Sequence, residues 1–249
     1  MNYEKCRAIA PSKSQEISEV SVGSCLTLFL QHCFSVKRQE LIPMRELSTI
    51  RLLPLCGLVA FPGTPPIALS APKGLAVDRP VGLLLCQRDG SLASVGSVAW
   101  RGSASIGSDA FAFEAVERFR VVEIVSDDDE MIIARCLPHV DAPFVSDAQE
   151  AEATRLHEEV WEKLQRIEEL SQEGDAGPAL PQLAELKPSF GSPSNFSLAL
   201  AGSVDLGETH AQNLLECDEC VDRLRILDGL ISESLSFRSA QAALSRLSL

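Results

Sequence analysis

The spacing of apolar residues changes near Pro143, and that change constrains the fold more than any other feature of the sequence. Before it, apolar residues come in short runs bounded by turn signals. Val81 to Cys86 is a continuous run, short enough for a strand buried on both faces. Leu52-Leu53-Pro54-Leu55 leads into Leu58-Val59-Ala60-Phe61, and Pro62-Gly63 predicts a stop there. Val95 to Trp100 follows a polar turn at Arg88-Asp89-Gly90-Ser91. Phe111 to Ala115 alternates large with small or polar residues, as a half-buried strand does. Phe119 to Ile124 and Met131 to Cys136 complete the set, separated by the acidic turn Asp127-Asp128-Asp129-Glu130. Strands of this length at this spacing predict a small antiparallel barrel or a pair of curved sheets.

After Pro143 the period is helical. Ala153, Leu156, Val160, Leu164, Ile167 and Leu170 recur at steps of three and four between Asp147 and Glu173. Gly174 to Pro178 ends that helix. Phe196 to Leu200 reads as a short helix, and Thr209 with Gln212 as a capping box for another. Asp218 is placed to cap a last helix whose face is Val221, Leu224, Leu227, Ile231 and Leu235. The fold class is therefore α+β. An irregular extension over residues 1–47 precedes a β-barrel-like part at 48–143 and a helical part at 144–249.

Charge and cysteine content narrow the function classes. The net charge is −13, concentrated in residues 147–249, which carry 8 basic and 19 acidic side chains. Such a surface repels phosphate backbones and anionic membranes, so nucleic acid is not an expected partner. No apolar run reaches the roughly 20 residues of a membrane span. Eight cysteines are scattered along the chain, which reads as free thiols in a reducing compartment. Residues 1–47 carry an apolar patch, Cys25 to Leu30, and are a candidate targeting segment, although Glu4, Glu16 and Glu19 count against that.

No phosphate-cradling Gly-x-x-x-x-Gly-Lys-Ser/Thr string and no Gly-x-Ser-x-Gly elbow occurs, so no catalytic residue and no cofactor is assigned. Cys217-Asp218-Glu219-Cys220 is a lone Cys-x-x-Cys near His210. Zinc wants four ligands, usually from two such pairs, and the spacing is read as two helix-facing cysteines, with no metal. Glu117-Arg118 with Arg120 is read as a turn whose charges pair locally, with an anion site as the alternative. Asp127 to Glu130 is read as a solvated turn and not a cation site.

The order of motifs resembles the N-terminal substrate-binding domain of the Lon protease family. The resemblance rests on Leu53-Pro54-Leu55, Phe61-Pro62-Gly63, Val95-Gly96-Ser97-Val98, Glu117-Arg118-Phe119-Arg120-Val121, Ile132-Ile133-Ala134-Arg135, and Leu214-Leu215-Glu216 with Asp222-Arg223-Leu224. It covers roughly residues 52–236, and extends to stand-alone Lon-domain proteins of plant and algal plastids, which the chain also resembles. The resemblance implies a PUA-like barrel followed by a helical bundle, a role in proteostasis, and a non-catalytic module that holds exposed apolar segments of client proteins. The candidate partner-binding surface is Phe61, Pro62, Leu69, Pro72 and Trp100. The alternatives are an adaptor subunit docking into a protease or other assembly, and a thiol enzyme using Cys217 and Cys220. The resemblance also implies a plastid or other organelle, with the cytosol as alternative. One departure stands out: Ile67 to Asp78 is too short for the amphipathic helix the family carries there, which implies a wider groove or exposed apolar surface.

Overall fold

The computed structural model describes residues 47–70, 79–105, 110–127, 132–172 and 191–247. The candidate targeting segment, apart from Leu47, lies outside them, as does the helix stop at Gly174 to Pro178. The chain divides into two compact units, 1–139 and 140–249.

The first unit is a mixed sheet. Its strands are β1 (Ser48–Cys56), β2 (Ile67–Ser70), β3 (Val81–Cys86), β4 (Val95–Ser105), β5 (Ala110–Asp127) and β6 (Ile132–Pro138). The order is β2-β5-β4-β3-β1-β6, and β6 also pairs with β5. Strands β5, β4, β3, β1 and β6 thus form a closed circuit, with β2 added beside the start of β5. The sheet is not purely antiparallel as expected, because β1 runs parallel to β3, Leu53 opposite Leu83. A parallel pair needs a crossover, and residues 57–80 supply it.

Three local differences from the sequence reading have physical causes. Strand β1 stops at Gly57, whose φ of 73° turns the chain, so Leu58 to Phe61 is loop. Ile67 to Ser70 forms a strand on β5, with Leu69 opposite Phe111. Phe111–Ala115 and Phe119–Ile124 are one continuous strand of 18 residues. Glu117 and Arg118 therefore lie in mid-strand, not in a turn.

Register explains how β5 serves two cores. Ala115 lies opposite Ala99 and Glu117 opposite Val98, so Val116 is an extra residue, a β-bulge. Side chains alternate along a strand, and the bulge shifts that alternation. Phe113 and Ala115 join a cluster with Leu53, Leu55, Val81, Leu83 and Ala99. Phe119, also odd-numbered, joins the other cluster, with Ile50, Leu52, Leu84, Val98, Ile132, Ala134 and Cys136. Strands β1 and β3 contribute to both, which is why Val81 to Cys86 is apolar without a break.

Phe119 is fully buried, and its ring lies over two glycines. A Cβ on Gly82 would come within 2.6 Å of Leu52 Cδ2 and 2.8 Å of Phe119 Cζ. One on Gly96 would meet Phe119 Cζ at 2.9 Å and would also run into the Leu83 carbonyl oxygen. Arg120 is exposed, whereas Arg118, two residues before it, is only 4% exposed.

The second unit is helical: α1 (Asp147–Gln172), α2 (Pro193–Ser203), α3 (Gly207–Glu216) and α4 (Cys220–Leu247). The six apolar positions read along α1 are all buried, as are Val221, Leu224, Leu227 and Ile231 of α4. Helix α2 buries every residue from Phe196 to Ala201, as a helix apolar all round must. The expected capping box is not formed. Helix α3 begins at Gly207, which puts Thr209 inside its first turn, and the Gly207 amide donates to Asp205 Oδ1 at 3.4 Å. Gln212 is buried and donates through Nε2 to Glu216 Oε1 at 2.8 Å.

Phe119→Ala is expected to cost about 3–5 kcal/mol, as large-to-small core changes do. Gly82→Ala is expected to cost about 1–3 kcal/mol through overpacking. Because that strain falls partly on the aromatic ring, Phe119→Leu should relieve part of it. Arg120→Ala should cost no more than about 1 kcal/mol. Urea melts of the single and double variants check this, and strictly additive losses for Gly82→Ala and Phe119→Leu would disprove the contact.

Candidate functional site

The residues singled out as a partner-binding surface do not form one. Phe61 and Pro62 are buried. Their loop is held from both sides: Ser97 Oγ donates to the Ala60 carbonyl at 2.7 Å, and Thr64 Oγ1 to the Phe61 carbonyl at 2.7 Å. Phe-Pro-Gly is therefore core and turn, with Gly63 at φ 79°. Pro72 lies outside the described residues. Leu69 and Trp100 are half-buried, but they face opposite ways. Leu69 pairs with Phe111, and Trp100 pairs with Glu114. Phe111 and Glu114 are three apart on a regular stretch of β5, hence on opposite faces. On the Leu69 side, the Arg101 guanidinium stacks 3.5 Å from the Phe111 ring centroid, a cation–π contact.

The exposed apolar residues lie elsewhere. Val122, Ile124 and Val125 on β5 are 55%, 43% and 55% exposed. Two more bulges place them. Val121 pairs with Cys136 and Glu123 with Arg135, so Val122 is extra; Ile124 pairs with Ala134 and Ser126 with Ile133, so Val125 is extra. Nothing in the local sequence marked this stretch, because a bulge is defined by the register of the partner strand. Arg135 Nη1 bridges to Glu123 Oε2 at 3.2 Å, both exposed. Arg120 Nη2 lies 3.3 Å from His139 Nδ1.

The helical unit is organised by a buried cation. Arg223 has no solvent exposure at its side chain. Its Nη1 and Nη2 grip Asp141 Oδ1 and Oδ2 at 3.0 and 2.5 Å. Its Nε donates to Ser197 Oγ at 2.8 Å, and Nη1 also reaches the Cys217 carbonyl at 3.0 Å. Ser194 Oγ donates to Asp141 Oδ2, and Ser197 Oγ to the Ser194 carbonyl. One guanidinium thus ties the 140–142 segment, α2, the end of α3 and α4 together. Its planar fork suits this bidentate role, which a lysine would not fill.

The Cys220 thiol beside this hub is poorly disposed to react. Neither Cys217 nor Cys220 is in a disulfide. Cys220 is buried, and desolvation pushes its thiol upward despite the nearby Arg223. Cys136, in the sheet core, is pushed up to about 12 by burial. Among the described residues, no group of three or more His, Cys, Asp or Glu could hold a metal. No described helix is long and apolar enough to cross a membrane. On α1, the His157 ring lies 4.3 Å from that of Phe196, and Trp161 meets Phe196 edge-on at 6.2 Å. Burial holds the His157 imidazole below its ordinary value, with Glu158 opposing.

No family model matches this sequence, and neither does any curated protein. Solved structures do match. The N-terminal domain of a Mycobacterium avium complex Lon protease is 16% identical, with 74% of this chain and 98% of that one covered and a TM-score of 0.55. A Lon N-terminal domain protein from Xanthomonas campestris is 19% identical, with 72% and 96% covered and a TM-score of 0.46. At these identities the likeness is one of fold. This chain has the α+β fold of a Lon N-terminal domain, matched over nearly the whole of the mycobacterial one.

Two outcomes are expected. Asp141→Ala leaves a buried cation uncompensated and should cost about 3–5 kcal/mol, whereas Arg135→Ala, at an exposed pair, should cost no more than about 1 kcal/mol. Urea unfolding followed by Trp161 fluorescence for the first, and Trp100 fluorescence for the second, checks both. Burial makes His157 harder to protonate in the folded chain than in the unfolded one, so the unfolded chain binds its proton at higher pH. Stability should therefore fall as pH drops below the ordinary imidazole value of 6.5. The His157→Gln variant should show a shallower pH slope in Trp161-detected melts; an unchanged slope would assign the titration elsewhere.

Proposed function

We propose that this chain is a non-catalytic protein-binding module that holds exposed apolar segments of client polypeptides. The observation that carries the reading is the fold likeness to a Lon protease N-terminal domain over almost that domain's full length. Exposed aliphatic residues on β5, Val122, Ile124 and Val125, support it, since clustered apolar exposure marks interaction sites. The protonated, buried Cys220 weighs against a thiol enzyme built on Cys217 and Cys220.

The test compares a reduced, carboxymethylated protein with its native form. The chain should retain the unfolded form on a pull-down and leave the native form in solution. Equal retention of both, or of neither, would sink the proposal. A single stoichiometric partner recovered from cell extract, with no preference for unfolded chains, would favour the adaptor reading.

A further inference from the structure

Strands β1 and β3 run parallel and end together. Their last register pair is Cys56 opposite Cys86. Beyond it β1 stops at Gly57, whose φ is 73°. The chain after β3 turns at once, and the Gly90 amide donates to the Gln87 carbonyl at 2.9 Å. Residues in register on neighbouring parallel strands project to the same face, about 4.8 Å apart in the hydrogen-bonding direction. A disulfide spans Cα separations of about 4.4–6.8 Å. The register therefore brings the two cysteines within bridging range without displacing either strand.

The two thiols differ in access. Cys56 is exposed, whereas Cys86 is 4% exposed. Among the other described cysteines, Cys217 is intermediate, and Cys136 and Cys220 are buried. Cysteine is among the most buried residue types, so packing does not account for an exposed one directly opposite a second. Neither is in a disulfide in this structure. Cys86 Sγ lies 3.7 Å from the Gln87 carbonyl oxygen, a long contact made by a weak donor. Because the pair closes the ladder, any backbone adjustment that bridging needs falls on the turns that follow, and the pairs from Arg51 with Val81 to Leu55 with Leu85 stay in place.

We propose that Cys56 and Cys86 form a redox modification site. A low-molecular-weight disulfide of the glutathione class oxidises them to an intramolecular disulfide that fastens the end of β1 to the end of β3. The Cys56 thiolate attacks one sulfur of the small disulfide, whose S–S bond breaks and releases one small thiol. The Cys86 sulfur then attacks Cys56 Sγ, and the second small thiol leaves. The two protein thiols give up two electrons and two protons, and the small disulfide takes up both as it becomes two thiols. Only Cys56 has to meet the reagent, because Cys86 needs only its neighbour across the ladder. The bond closes the 57–80 crossover at both ends. Its exposed side leaves it open to reduction, which makes the link reversible. The inference is independent of the protein-binding reading.

The experiment equilibrates the full chain, under native conditions, with oxidised and reduced glutathione at several ratios. Samples are quenched by alkylation and digested with trypsin without reduction. Peptides 52–73 and 74–88, which carry Cys56 and Cys86, should emerge linked. The linked share should rise with the oxidised share of glutathione and vanish on reduction. The Cys86→Ala variant should stop at glutathione held on Cys56. The linked form should also unfold at higher urea than the reduced form, since a closed loop restricts the unfolded chain. Glutathione retained on Cys56 in the unsubstituted chain, a Cys56 link to any other cysteine, or an unmodified Cys56 at every ratio overturns the proposal. An unchanged or lower urea midpoint overturns it too, because the bond then fastens nothing. Where Cys86→Ala does not fold, the peptide map of the unsubstituted chain decides alone.

Discussion

The ring of Phe119 pressed onto Gly82 and Gly96 holds the sheet unit together. It joins three strands at one point, β5 through the ring and β3 and β4 through the two glycines. Neither glycine is there for an unusual backbone angle; each makes room for an aromatic ring. The closed circuit depends on this, because β5 must contact β4 and β6 at once while its ring reaches across the interior. The bulge at Val116 makes that possible. Were the same sequence paired without the bulge, Phe119 would share a face with Phe113, and one of the two clusters would lose its largest side chain.

The helical unit solves a different problem with a different device. Helix α2 is too short and too apolar to fix its own orientation, since nearly every side buries something. Apolar burial is non-directional. Arg223 supplies direction: four of its five donors are taken up only if Asp141, Ser197 and the Cys217 carbonyl arrive together. The Ala142 amide, which donates to the Asp218 carbonyl at 2.8 Å, fastens the same segment a second time. A bidentate pair buried to this extent is costly to break from one side, although it adds little compared with an apolar replacement of both partners. Its contribution is to register.

Features that depend on near neighbours were legible in the sequence. The two-residue and 3.6-residue periods placed β3, β6, α1 and α4 within a few residues, because each buries a face written in its own sequence. The order of short motifs gave the fold class and the Lon N-terminal likeness. Features set by distant partners were not legible. Phe61 and Pro62 resemble a surface motif until Ser97, some way along the chain, is seen to hold their loop. Arg223 resembles a surface charge until Asp141 closes on it. Thr209 and Gln212 fit a capping pattern, but the helix starts at Gly207, three residues earlier than a Thr209 cap would place it, with Asp205 accepting from the Gly207 amide. The bulges have no sequence signature of their own, so the joining of two expected strands into one β5 escaped the period argument.

The same device therefore has opposite results along one strand. At Val116 an extra residue turns Phe119 into the core. At Val122 and Val125 extra residues turn aliphatic side chains out, at the point where β4 no longer covers the strand.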